Sequence, residues 1–322
     1  MLGDTHPTVS DSYHNLGGVH AKLGQFSDSM DCYKKCLSIR VDTYGENNLL
    51  VAKTYSNMGV VHTQLRQFKL AMSRFKEALR VRRSYLSPDN EDLAATYYNI
   101  GNIHARQKEY DMAVECYTES IRIRRMLFGD NSIIVANTLQ NMGALYEAKM
   151  EYTQAKVCYE DALDVKRLRF GEDDYVVALA MTKVGVVCNS TGEYQQALTC
   201  FEKALKVQRS CFGLEHIEVA RTLIHLGDSM MNMKSLTVAM NCFIEALRIR
   251  EMKLSENHED IGDALYFIGK VYDKQEDYED AMLYYGNSFR IYNRRGKRRS
   301  KDRKRVMDAL RTVVLSSNGQ VG

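Results

Sequence analysis

The chain has 322 residues, 45% of them hydrophobic and 26% charged, with a formal net charge of +3. That make-up is ordinary for a soluble globular protein. No apolar run approaches the roughly 18–20 residues that span a bilayer and no N-terminal signal peptide is visible, so a cytoplasmic location is expected by default.

Pro7 and Pro88 are the only prolines, and the apolar spacing is helical throughout, so the expected class is all-α. In chain order the governing signal is glycine. Gly17, Gly59, Gly101, Gly143, Gly185, Gly227 and Gly269 stand 42 residues apart. A fixed period of 20–50 residues marks a stacked array of helical units, an α-solenoid with one continuous core. Seven helical pairs are predicted at about 7–43, 49–86, 91–127, 133–169, 175–211, 217–253 and 259–293. The first begins inside a repeat-type turn with no polar capping element before it, as expected of a fragment, of a short gene model or of an array whose first unit is covered otherwise. The second unit reads Tyr55-x2-Met58-Gly59-x2-His62, then Ala71-x3-Phe75-x2-Ala78-Leu79. The third repeats this with Tyr97, Ile100, Gly101, His104, Ala113 and Tyr117, and the fourth with Leu139, Met142, Gly143, Tyr146, Ala155 and Tyr159. Glycine inside a helix costs about 1 kcal/mol relative to Ala, so its recurrence needs a close helix crossing. Ala71, Ala113, Ala155, Ala197, Ala239 and Ala281 on helix B are expected to meet it. Phe75, Tyr117, Tyr159, Phe201, Phe243 and Tyr285 are expected to fill the space between units.

Helix B runs on through charged residues such as Arg80-Val81-Arg82-Arg83 and ends in a recurring turn, as in Tyr44-Gly45-Glu46-Asn47-Asn48 and Phe170-Gly171-Glu172-Asp173. Glycine there suits a left-handed helix cap, and Asp or Asn can cap the helix that follows. Leu2-Gly3-Asp4-Thr5-His6-Pro7-Thr8-Val9 is the same turn in register. After the last pair, residues 294–305 read as a basic linker, 306–315 as a capping helix carrying Val306, Leu310, Val313 and Val314, and 316–322 as a disordered tail.

The Leu-Gly-x2-His-Pro-x-Val turn, the 42-residue spacing and the Asn-Leu/Met/Ile-Gly signature resemble the tetratricopeptide arrays of kinesin light chains and nephrocystin-3-like proteins. The resemblance spans roughly residues 2–293. It implies a helix–turn–helix solenoid that binds partner proteins, with kinesin-related or cytoskeletal partners among them. No stretch of the chain reads as the sustained heptad coiled coil by which kinesin light chains grip the motor.

Catalytic and metal readings fail the same periodicity test. Cys32, Cys116, Cys158, Cys200 and Cys242 share one register, whole units apart, and cannot converge on an ion. They read as small buried hydrophobes, and all eight cysteines are expected to be reduced. His20, His62 and His104 occupy a position held elsewhere by Tyr146, Cys188, Met230 and Tyr272, which is a packing site. No nucleophile elbow, phosphate loop or metalloprotease motif occurs. No cofactor, metal or enzymatic activity is expected.

Two features remain. One is an asparagine ladder on helix A, Asn15, Asn57, Asn99 and Asn141, replaced by Lys183, His225 and Phe267 in later units. In related solenoids this position bonds the backbone of a bound peptide, and an amide offers both donor and acceptor. The alternative is a bond to the neighbouring unit. Lys53, Tyr98, Asn102, Arg106, Gln140, Arg221 and Lys270 are expected around the ladder in a concave groove. The other is residues 290–305, ten bases against one acid, which leaves −6 for residues 1–289. Arg294, Arg295, Lys297, Arg298, Arg299, Lys301, Arg303, Lys304 and Arg305 form a candidate contact for polyanions or an import receptor, or a solvated linker. The reading is a non-enzymatic scaffold or adaptor that binds peptide segments. The alternatives are a kinesin light chain-like cargo adaptor without its motor-binding coiled coil, or a nucleic-acid- or membrane-associated protein recruited by its basic tail.

Overall fold

A computed structural model describes residues 6–294 and 300–319 of the chain. Their helices, in order, are α1 (Pro7–Lys22), α2 (Phe26–Tyr44), α3 (Leu49–Gln64), α4 (Phe68–Tyr85), α5 (Glu91–Gln107), α6 (Tyr110–Phe128) and α7 (Ile133–Ala148). There follow α8 (Tyr152–Phe170), α9 (Tyr175–Ser190), α10 (Tyr194–Phe212), α11 (Ile217–Asn232), α12 (Leu236–Lys253), α13 (Glu259–Lys274), α14 (Tyr278–Arg294) and α15 (Ser300–Gly319). No strand occurs among the described residues. The chain is all-α, of the helix-pair solenoid class. Its contacts divide it into two compact units, Met1–Glu151 and Tyr152–Gly322. Within each, helices pack against their neighbours in sequence, odd-numbered helices in the helix A role and even-numbered ones in the helix B role.

The nearest partner of the glycine period is an aromatic ring on helix B. A Cβ added at Gly59 would stand 2.8 Å from the Phe75 ring, and one at Gly101 2.9 Å from the Tyr117 ring. Gly17 with Tyr33, Gly185 with Phe201, Gly227 with Phe243 and Gly269 with Tyr285 repeat the arrangement. The aromatic ring of the same helical pair is therefore the group nearest to the glycine. Ala71, Ala113, Ala197, Ala239 and Ala281 are fully buried on their own account.

The connections differ from expectation. Gly45, Gly129 and Gly213 close helix B with φ between 77° and 83° but ψ between 165° and 171°. That is the extended positive-φ region open essentially to glycine alone, not a left-handed cap. The left-handed residue lies instead in each A–B turn, at Gly24, Arg66, Lys108, Met150, Gly192, Lys234 and Glu276. Side chains other than glycine are disfavoured there by about 1 kcal/mol. Lys108→Gly, at φ 64°, is therefore expected to stabilise the chain by about 0.5–1 kcal/mol, read as a higher urea midpoint. Asn48, Asn90 and Asp174 cap the next helix, accepting from Leu50, Asp92 and Val176 N–H at 2.8, 2.8 and 2.7 Å. His216 and His258 do the same with a ring nitrogen, which the turn pattern does not announce.

At the C-terminal end α15 covers α14, with Val306 and Val313 fully buried beside Tyr285 and Tyr292. The helix is longer than the sequence suggests on both sides. Residues 300–305 belong to it rather than to a linker, and residues 316–319 rather than to a disordered tail. Arg305 holds its first turns down, lying 4.2 Å over the Tyr266 ring and 3.2 Å from the Asp263 carboxylate.

Candidate functional site

In the first unit the helices α3, α5 and α7 stand side by side and leave an open cleft of about 570 Å³. The helical repeat decides what lines it, because residues three or four apart share a face. Tyr98, Asn99, Asn102 and Arg106 come from α5, Asn141, Ala144 and Ala148 from α7, and Val60, Thr63 and Gln64 from α3. The rings of Phe75, Tyr110 and Tyr117 lie between them. Five of the residues expected in a groove, Tyr98, Asn99, Asn102, Arg106 and Asn141, therefore share one wall system. Lys53 and Asn15 are exposed, and Gln140 and Asn57 half-buried, outside this lining.

The amides of the cleft are held to different degrees. Asn141 Nδ2 donates to Tyr98 Oη at 2.8 Å. Tyr117 Oη donates to Asn102 Oδ1 at 2.6 Å. The Arg124 guanidinium stacks over the Tyr98 ring at 4.8 Å, and Tyr98 lies against Tyr117 with 5.9 Å between ring centroids. Two units earlier, Asn57 Nδ2 lies 3.1 Å from Nε2 of His14, whose Nδ1 is 3.3 Å from Arg40 Nη1. The ladder thus makes bonds to the preceding helix A as well as facing the groove. Asn99 has no side-chain partner among the described residues.

A register of cations on helix B, buried except for half-buried Arg124, escaped the sequence reading. Arg40, Arg82, Arg124, Lys166 and Arg250 recur at 42-residue steps or multiples on helix B. Arg82 is 4% exposed and donates to Thr96 Oγ1 at 2.6 Å and to the Asp92 carbonyl at 3.2 Å, both on the next helix A. Arg40 does the same to Thr54 Oγ1 and the Leu50 carbonyl, each at 2.9 Å. Arg124 donates to Thr138. Burial pulls the Arg82, Arg124 and Arg250 guanidiniums below their ordinary pKa. Arg40, Arg82 and Arg124 tie α2 to α3, α4 to α5 and α6 to α7, and Arg250 ties α12 to α13. For Arg40, Arg82 and Arg124 the signal was present as a threonine fourteen residues on, at Thr54, Thr96 and Thr138.

In the second unit the ladder positions do not form the same kind of site. Lys183 is exposed, and exposed Arg221 is paired with Glu218 at 2.8 Å. His225 stacks on Phe201 at 5.9 Å, and Phe267 stacks on Phe243 at 5.1 Å. Lys270 lies over the Phe267 ring and 3.9 Å from Asp228. Desolvation pushes the His225 pKa down to about 4, with Lys183, Arg250 and Arg221 adding to it.

The remaining candidates have structural placements. His20, His62 and His104 each reach the first turn of the following helix, with Nδ1 at 2.6, 2.7 and 2.5 Å from Gln25, Gln67 and Glu109. All eight cysteines are free thiols, and burial raises the pKa of Cys116 and Cys242 to about 11 and of Cys188 to about 12. Among the described residues no three His, Cys, Asp or Glu side chains are grouped to hold a metal ion, and no helix is long and apolar enough to cross a membrane. Of the basic stretch, Arg295, Lys297, Arg298 and Arg299 lie outside the described residues. Arg294 donates to Asn257, Arg303 to Asn293 and Arg305 to Asp263, while Lys301 and Lys304 are exposed.

Comparison with known proteins agrees with this geometry. Tetratricopeptide repeat models match residues 2–84, 92–168 and 176–230, and further ones match 219–260 and 262–294. No curated protein matches the chain. Among solved structures, BtubC (BKLC) from P. vanneervenii is 21% identical over 72% of this chain and 91% of its own, with a TM-score of 0.58. A kinesin-light-chain-type protein of Podospora anserina with nearly identical TPR-like repeats is 12% identical over 64% of this chain and 98% of its own, also at 0.58. A Pyrococcus horikoshii signal transduction ATPase with a tetratricopeptide repeat sensor reaches 0.70 at 13% identity, over 88% of this chain and 42% of its own. At these identities the likeness is one of fold. With the repeat models covering most of its length, the chain belongs to the tetratricopeptide repeat family.

Proposed function

We propose that the chain is a non-enzymatic scaffold or adaptor that holds an extended or partly helical segment of a partner protein in the cleft of its first unit. The observation that carries this reading is the convergence of Tyr98, Asn99, Asn102, Arg106 and Asn141 on one open cleft. An extended segment brings unpaired backbone donors and acceptors, and asparagine offers both. Val60, Ala105, Ala144 and Leu145 give apolar contact for one or two of its side chains, and Arg106, the one charged residue lining the cleft, suits a carboxylate. The segment loses chain entropy on binding, so micromolar affinity per motif is the expected range.

Ala144→Arg tests the reading. Ala144 is exposed on α7, so a long side chain there fills the cleft without entering the core. Recovery of cellular partners by the purified chain should fall by about tenfold or more, while the melting temperature stays unchanged. Full recovery with an unchanged melting temperature would move the binding surface elsewhere.

A finer version of the reading is a cytoplasmic cargo adaptor of the kinesin light chain kind. The 42-residue unit and the fold shared with kinesin-light-chain-type arrays support it. Its check is co-purification of a kinesin heavy chain with the tagged protein from cells, and absence of any motor would set this version aside.

A further inference from the structure

Each compact unit leaves an apolar surface uncovered. In the first, α2 and α4 flank a groove of about 730 Å³ over α3, lined by Met30, Leu37, Val41, Met58 and Leu70. The same groove between α8 and α10 is crossed by polar contacts. There Lys156 is paired with Glu193 and donates to Gln196 at 3.0 Å, and Gln196 donates to Glu160 at 3.2 Å. Met30 and Leu70 stand at the registers of Lys156 and Gln196, and no side-chain hydrogen bond or ion pair joins α2 to α4 among the described residues. Two exposed acids, Asp31 and Asp42, rim the groove from one face of α2. Of the bases beside them, Lys34 is 3.3 Å from Asp31 and Arg74 lies over the Tyr55 ring at 5.5 Å. Asp42 has no cation among the described residues.

In the second unit α15 rests on α14 through Val306 and Val313. Its uncovered side carries Met307, Val314 and Leu315 around Arg311, with Val314 42% and Leu315 73% exposed. Position 311 is the next step of the glycine period, 42 residues after Gly269. At Gly269, Gly227 and Gly185 that step receives the aromatic ring of a helix B, and an arginine leaves no such seat. A helix laid on this face must offer Arg311 a carboxylate instead, since a guanidinium covered without one is costly. Lys304, one face with Arg311 and seven residues before it, is exposed and has no acid among the described residues.

We propose that α15 of one copy seats in the α2–α4 groove of a second copy, so that the chain associates with itself head to tail. Met307, Val314 and Leu315 enter the groove, and Lys304 and Arg311 meet the Asp31 and Asp42 rim. Each surface alone is an apolar patch left in water, and the contact covers both. Two α15 helices laid face to face would instead bring Lys304 and Arg311 of both copies together, which like-charge repulsion opposes. An anionic lipid surface would satisfy those two bases but leave the groove of the first unit open. Because the joined surfaces are unlike, each added copy keeps one of them free, and association continues beyond two chains. The contact is separate from the peptide cleft. Val60, Thr63 and Gln64 of α3 line the cleft, whereas Met58 and His62 line the groove. Joined copies therefore present several clefts at once, which raises avidity for a partner with repeated segments.

Sedimentation velocity of the full chain at rising concentration, up to about 100 μM, reads the association. Wild type should form species larger than two chains, and added salt should weaken them. Leu70→Lys blocks the groove and Val314→Lys blocks α15. Both residues are exposed, so each variant should keep its melting temperature and lose about tenfold or more in association. The decisive arm mixes the two variants. Each retains the surface the other has lost, so the equimolar mixture should form complexes of two chains and stop there. The cleft-filling Ala144→Arg should associate as wild type does, which keeps this contact distinct from peptide binding. A wild type that stays monomeric throughout would overturn the proposal. So would a mixture that fails to pair, or association lost in Val314→Lys but untouched in Leu70→Lys, which would mean that α15 meets α15. Binding of phosphatidylserine vesicles by monomeric wild type, lost in Val314→Lys, would assign α15 to a lipid surface instead.

Discussion

Gly227→Ala should destabilise the chain by about 1–2 kcal/mol, although alanine is the better helix former. The gain in helix propensity is about 1 kcal/mol. Against it stands a Cβ placed 2.5 Å from Phe243 Cε1, with two more ring atoms at 2.8 and 2.9 Å. Phe243 is fully buried and cannot swing away, so the helices must part, and overpacking of this kind costs about 1–3 kcal/mol. Gly227→Val should be worse, since branching adds two further carbons against the same ring. Gly286 supplies the control. It also lies within a helix, α14, but a Cβ there meets nothing within 4 Å. Gly286→Ala should therefore stabilise by about 0.5–1 kcal/mol. Urea midpoints for the three variants decide the matter. Equal effects at positions 227 and 286 would mean that ring-on-glycine packing does not govern the repeat.

The glycines also show how far the sequence could be read. Their strict period declares a helical-pair array because a repeated backbone requirement leaves a repeated residue, and the family and fold follow from it. The identity of what touches Gly59 could not be read, since Ala71 and Phe75 recur with the same period and either could face it. Periodicity finds the positions that matter and is silent on which of two periodic residues is in contact. The buried arginines escaped for a related reason. Arg80, Arg82 and Arg83 look alike in a charged helix end, yet only Arg82 is buried, and the threonine that receives it lies on a different helix. The length of α15 was hidden by composition. Lysine and arginine are good helix formers as well as linker residues, and the ring of Tyr266 that receives Arg305 lies 39 positions earlier in the sequence. In the groove, the asparagine register falls on helices that line the cleft, with Asn99 and Asn141 in its lining. It could not reveal that Asn57 and Asn141 have side-chain partners and that Asn99 has none among the described residues, because those partners, His14 and Tyr98, are unlike residues at one register.

Acidification from pH 6.5 to 4 should remove several kcal/mol of stability through two histidines. His14 is 7% exposed, and desolvation, helped by Arg40 and Lys53, lowers its pKa from 6.5 to about 4. His225 is lowered to about the same value by desolvation and by Lys183, Arg250 and Arg221. Both are bases whose folded pKa lies below the unfolded one, so in that window the unfolded chain binds more protons than the folded chain. Stability is then fully present above pH 6.5 and falls as the pH drops toward 4. At about 1.4 kcal/mol per pKa unit, each group contributes up to about 3 kcal/mol. His225→Phe separates one share from the carboxylate background. Phe267 fills the same register in the next pair and stacks on Phe243 as His225 stacks on Phe201, so the ring should be accepted. The variant should match or exceed wild-type stability at pH 7 and lose roughly half as much between pH 6.5 and 4. Urea titrations at pH 7, 5.5 and 4 provide the check. An identical pH slope in wild type and His225→Phe would show that His225 charges freely in the folded state, and that its packing against Phe201 is looser than the structure implies.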